Sequence, residues 1–145
     1  MGILKDKVGQ PEPRAAIIDD ACQVLDAEVA SKSGLSGAAI KAAYGIVKNI
    51  KPGFIRDVID SLLDEFVDAV EKVQQSAGPD VPAAQAVRDN PGPLADNLLS
   101  VTDQRAERAE RPVIKKTYAK LRPSAKKQVE SAVPRLAGLI ERHAG

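Results

Sequence analysis

The 145-residue sequence predicts an all-α protein, a compact bundle of about six helices. Three observations carry the prediction. Apolar residues recur at spacings of three and four over long stretches, which places them on one face of a helix. Proline and glycine, ten of each, gather between those stretches and cut the chain into helical lengths. No segment alternates β-branched and polar residues as a half-buried strand must.

The elements follow in chain order. "LKDKVGQPEP" is polar and broken by Gly9 and Pro11, so residues 1–13 are expected to form a mobile arm ahead of a single helical domain over 14–145. A first helix starts near Pro13, a residue tolerated in a first turn, and ends before Gly34 with Ile18, Cys22, Leu25 and Val29 on one face. Ser36 is expected to cap a second helix that carries Ile40, Tyr44 and Val47 and stops at Lys51-Pro52-Gly53. The third helix, about 54–76, has the strongest pattern, with Ile55, Val58, Ile59, Leu62, Phe66, Val70 and Val73 in register, and is expected to be central. Gly78 and Pro79 end it, and residues 79–92 read as a linker holding one short helical turn after Asp80. Pro93 opens a fourth helix with Leu94, Leu98 and Val101 that runs to Pro112. A fifth covers about 112–121, and Ser124 caps a sixth that reaches about His143. Pro134 should kink it, because proline has no N–H to donate and crowds the preceding turn.

Setting Ile40-Lys41-x-x-Tyr44 against Ile114-Lys115-x-x-Tyr118 exposes a recurrence. After a gap, Lys51 falls on Arg122, Pro52 on Pro123, Val58 on Val129 and Leu62 on Val133. Upstream, Val24 and Asp26 fall on Val101 and Asp103. Helices one to three would then match four to six, and the expectation is two degenerate three-helix halves, 14–78 and 93–143, related by a pseudo-twofold. The competing reading is that a basic residue, a proline and a capping serine commonly join two helices. In the repeat, Tyr44 and Tyr118 are equivalent, each ring packing in a helix joint while its hydroxyl seeks a partner.

Charge and residue inventory narrow the chemistry. A net charge of +1 gives the whole molecule no strong preference for polyanions or membrane surfaces. One cysteine cannot form an internal disulfide, and no signal-peptide pattern opens the chain, so a reducing cytoplasm is the expected address. No apolar run approaches the roughly 20 residues that cross a bilayer. The only histidine, His143, lies near the chain end, which leaves no material for a histidine-based triad or a multi-histidine metal site. Cys22 sits among Asp19, Asp20 and Asp26, surroundings that disfavour a thiolate. No Gly-rich phosphate loop is present. No catalytic residue, metal ligand or cofactor is therefore expected.

Two charged features remain. Asp57, Asp60, Asp64 and Asp68 follow at spacings of three and four along the third helix and form an acidic stripe, read as a solvated face or as a docking surface for a basic partner. Residues 105–127 hold nine basic side chains against Glu107 and Glu110. There Arg122, Lys126 and Lys127 surround the expected helix start at Ser124, whose free N–H groups would favour a phosphate or carboxylate. Against nucleic acid stand the neutral total and the poverty of aromatic residues for stacking.

The segments "KPGFIRDVIDSLLDEFVDAVEKV" and "KKTYAKLRPSAKKQVESAVPRLAGLI" resemble a family of small, mostly actinobacterial all-α proteins of unknown function, over about residues 15–143. The resemblance implies a bacterial, cytoplasmic, single-domain protein and brings no activity, cofactor or catalytic residue. The functional expectation is a non-catalytic helical binding or interaction domain, engaging a protein partner or a second copy of itself. The alternatives are phosphate or nucleic-acid binding through the basic C-terminal third, and a small-molecule carrier or enzyme with an unrecognised pocket.

Overall fold

A computed structural model describes residues 3–78 and 80–144, and within them the chain forms seven helices and no strand. They are α1 (Ile3–Val8), α2 (Pro11–Ser31), α3 (Gly34–Lys48), α4 (Phe54–Ala77), α5 (Ala83–Asp89), α6 (Pro91–Arg108) and α7 (Pro112–Ala144). The all-α class agrees with the apolar periodicity. Several boundaries do not.

The expected mobile arm is helix α1. Leu4 and Val8, one turn apart, are both buried in the core, and Lys5 pairs with Asp68 of α4. Six residues are too few for periodicity to reveal, so only the packing against α2, α4 and α7 exposes the amphipathic face. Gln10 in extended backbone ends the connection, and Pro11 rather than Pro13 opens α2, where a missing N–H costs nothing. Likewise Ser33 occupies the cap position of α3, so Ser36 stands inside that helix. Lys51-Pro52-Gly53 does separate α3 from α4, with Gly53 in the left-handed region (φ +74) that favours glycine.

The expected linker 79–92 also carries structure. Pro79 lies outside the described residues, but α5 buries Ala84, Ala86 and Val87 between α4 and α7. Alanine supplies little hydropathic contrast, which is why the segment resembles a connection in sequence. The fifth and sixth expected helices are one, α7, which runs through Pro123 and Pro134. Each proline removes one backbone bond. Packing of α7 on α1, α2, α3, α5 and α6 outweighs that loss and keeps the helix continuous. Ser124 consequently caps nothing, and its hydroxyl donates back to the Leu121 carbonyl at 3.3 Å.

Ile17 of α2, Val87 of α5 and Leu94 of α6 are the largest fully enclosed side chains, joined by Leu63 and Val67 of α4 and by Val133, Ala137 and Ile140 of α7. The expected central role of α4 is shared: α4 and α7 each contact α1, α2, α3, α5 and α6. No polar or charged residue is buried among the described residues.

Matching interactions recur along the chain. Gln10 and Asn90 each precede a Pro-x-Pro helix start, and their side-chain amides donate to the carbonyls of Asp6 (3.4 Å) and Ala86 (2.8 Å), four residues back in each case. The Tyr44 hydroxyl donates to Asp26, and Tyr118 donates to Asp103 at 2.5 Å. One turn beyond each tyrosine stands a cation on the same carboxylate: Lys48 lies 3.9 Å from Asp26, and Arg122 lies 2.8 Å from Asp103.

Candidate interaction surface

The acidic stripe on α4 is occupied from within. Arg14 of α2 places Nε 2.9 Å from Asp60 and Nη1 3.1 Å from Asp64, and bonds the carbonyls of Val8 (3.0 Å) and Asp60 (2.8 Å). Lys5 holds Asp68, and Lys51 lies 3.3 Å from Asp57. The hydrogen bond to Asp60 leads in raising the Arg14 pKa. Within the chain, Arg14 and Lys5 of the N-terminal region thus pair with this stripe and fasten α1 and α2 to α4.

The expected anion site has lost its foundation. At Ser124 the helix is unbroken, so its N–H groups are spent on the preceding turn and no dipole terminus faces outward. Arg122 binds Asp103 through two nitrogens at 2.8 and 3.1 Å, and Lys126 lies 3.0 Å from Asp96. Lys127 is exposed and forms no ion pair among the described residues. The structure does not bring Arg122, Ser124, Lys126 and Lys127 together as one receptor.

Other polar groups serve packing. Arg122 first, then the Tyr118 hydroxyl, hold the Asp103 carboxyl below its usual range. Burial, reinforced by Asp26, pushes the Tyr44 phenol upward, and burial with Asp103 does the same to Tyr118. The Cys22 thiol is pushed up by burial and kept from the thiolate form. His143 is tied into the fold: its Nε2 is 2.9 Å from Asp20, which Arg142 also binds at 2.7 and 2.9 Å. Among the described residues no group of three or more His, Cys, Asp or Glu is placed to hold a metal ion.

The surface that sequence reasoning missed lies on α3. Leu35, Ala39, Ala42 and Ile46, at successive spacings of four, three and four, fall on one face, and all are exposed; Leu35 stands 93% and Ile46 51% open to solvent. Beside this face runs α7, and between the two helices lies an open groove of about 840 Å³. Its floor includes Ala39, Ala42 and Ile46 from α3 and Leu121 from α7, with Lys116 and Lys120 along the α7 side. Neither α3 nor residues 112–129 of α7 contains an acidic residue. Lys41, Lys115, Lys116 and Lys120 form no ion pair among the described residues. The periodicity of this helix points to Ile40, Tyr44 and Val47 as its apolar face, and periodicity cannot say that the face of Leu35, Ala39, Ala42 and Ile46 is left uncovered.

A second hollow, about 420 Å³ between α4, α6 and α7, is lined by Phe54, Val58, Leu62 and Ile114. Of its three hydroxyls, Thr102 and Tyr118 lie 2.7 Å from each other and Ser61 donates to the Val58 carbonyl at 2.9 Å.

Residues 4–144 match the model of a family described as a family of unknown function (DUF6918). No curated protein and no solved structure matches the chain.

Proposed function

The chain belongs to the DUF6918 family, and from that premise and its own geometry we propose that it is a non-catalytic helical interaction domain whose contact surface is the α3/α7 groove. One observation carries the reading: a helix whose apolar face includes Leu35 and Ile46, the two most exposed large apolar side chains among the described residues, is left uncovered beside lysines that form no ion pair among those residues. No helix among the described residues is long and apolar enough to cross a membrane, and a cytoplasmic, bacterial setting is part of the same proposal, resting on the single cysteine and on the sequence resemblance.

A photo-crosslinking residue at Ala42, compared with one at Gln75 on α4, tests it in cells that make the protein. Discrete crosslinked species at Ala42 that vanish with Ile46→Asp are expected. Equal labelling at both positions, or none at Ala42, defeats the reading.

Phosphate or nucleic-acid binding is the second reading. The acid-free run of Lys115, Lys116 and Lys120 favours it, now without the helix terminus at Ser124. It requires affinity for an oligonucleotide that falls steeply with salt. A carrier or enzyme using the α4/α6/α7 hollow ranks below both, because the Thr102 and Tyr118 hydroxyls there are already bonded to each other and to Asp103.

The internal repeat belongs here as well. We infer that α1–α4 and α5–α7 are degenerate copies of one unit, in which the first half of α7 corresponds to α3 and the second half to α4. The paired Gln10/Asn90 and Asp26-Tyr44-Lys48/Asp103-Tyr118-Arg122 interactions support it.

A further inference from the structure

Building on the groove as the contact surface, we infer that its occupant is an acidic amphipathic helix of another protein, with large apolar side chains on one face and Asp or Glu on its flanks. Three features point to a helix. The groove runs between two helices, and a third can seat its ridge of side chains there at an interaxial distance of about 8–10 Å. The floor is small: Ala39 and Ala42 leave recesses that bulky knobs from a partner would fill, as helix-in-groove recognition requires. The length fits, since the 15 residues of α3 span about 22 Å, or about four turns.

Charge selects the sign. Lys41, Lys116 and Lys120 stand on segments without a single carboxylate, and they form no ion pair among the described residues. Acidic flanks would meet Lys116 and Lys120 at the rim, where they steer encounter and fix orientation. A second copy of this chain does not fit on the groove, because lysine would face lysine. Nor does the acidic stripe of another copy serve as the occupant, since its carboxylates already hold Arg14, Lys5 and Lys51. A bilayer is the poorer match: insertion needs several projecting bulky side chains, whereas α3 exposes only Leu35 and Ile46 among its large apolar residues and the rest of its share of the groove is alanine.

The experiment uses the full chain and three synthetic helical peptides that share one leucine stripe and differ only in their flanks, which are Glu, Gln or Lys. Binding is read by fluorescence anisotropy beside vesicles of mixed phosphatidylserine and phosphatidylcholine. The Glu-flanked peptide should bind about tenfold more tightly than the Gln-flanked one, as two or three rim pairs would provide, and the Lys-flanked one should be weakest. Ile46→Asp should abolish binding. Lys116→Glu with Lys120→Glu should invert the preference toward the Lys-flanked peptide, a gain that misfolding cannot mimic. Absence of peptide binding, loss of the charge ranking, or binding to the vesicles in preference to every peptide overturns the inference. If crosslinking at Ala42 persists while the Glu-flanked peptide fails, the partner chemistry falls and the groove reading stands; if crosslinking fails too, both fall.

Discussion

At the scale of single residues, two glycines inside the same helix should respond oppositely to the same change. A Cβ on Gly45 meets nothing within 4 Å, so Gly45→Ala should follow helix propensity and stabilise by about 0.8–1 kcal/mol. A Cβ on Gly37 would lie 2.7 Å from the Lys32 carbonyl carbon, a backbone atom at the end of α2. Gly37→Ala should therefore destabilise despite the same propensity gain, and urea denaturation of the two variants separates the effects. The tyrosines supply a pH signature. Both phenols are held above the usual range in the folded protein, mainly by burial and then by their aspartates. The stability they contribute is complete below the unfolded value of about 10 and is lost as pH rises through the folded values. Thermal melts from pH 8 to pH 11 should fall less for Tyr44→Phe combined with Tyr118→Phe than for the unaltered chain; identical slopes would show that the hydroxyls are not so coupled. That these tyrosines want polar partners was legible from their chemistry. That the partners are Asp26 and Asp103, which the repeat alignment had already paired, needed coordinates.

Among the elements, α1 is the sharpest test of packing against propensity. A mobile arm would tolerate change at Leu4, whereas a buried leucine truncated to alanine costs about 2–5 kcal/mol. Leu4→Ala measured by urea denaturation should fall in that range, and a loss below about 0.5 kcal/mol would restore the arm. Arg14 explains why the segment stays down. Its guanidinium joins the end of α1 to α4 through Val8 and two carboxylates, so Arg14→Ala should loosen α1 before the rest, visible as faster amide exchange over residues 3–8 than over α4. Helices α2, α3, α4 and α6 were readable because three- and four-residue spacings persist over several turns. The short ones, α1 and α5, were not, because six or seven residues hold too little pattern and only neighbours reveal which side is apolar. In α7 the proline signals were read correctly as local penalties. They were outweighed by packing along the whole helix, a sum that no local window contains.

For the molecule as a whole, the inferred duplication makes a prediction about that continuity. If the two parts of α7 correspond to α3 and α4, then inserting Asn-Ile-Lys between Arg122 and Pro123 recreates the connection that precedes Pro52. In an obligatory rod, three residues would rotate one part against the other by about 300° and shift it about 4.5 Å, destroying the packing on both sides. With the inferred repeat the insertion forms a loop, and a cooperative thermal transition should survive; its disappearance would count against the duplication. The interaction surface belongs to this scale too. Sequence alone marked the basic run of α7 and placed Ile40, Tyr44 and Val47 on one face of α3, because composition and periodicity are properties of each segment by itself. It likewise determined the all-α class and, within a few residues at their ends, α2, α3, α4 and α6. Only the tertiary structure decided which charges face each other and which apolar face is left over. The acidic stripe finds Arg14, Lys5 and Lys51 within the chain, while among the described residues the alanine-floored groove beside Lys116 and Lys120 is left open. A partner is a relation between two elements distant in sequence, and that relation exists only once the chain has folded.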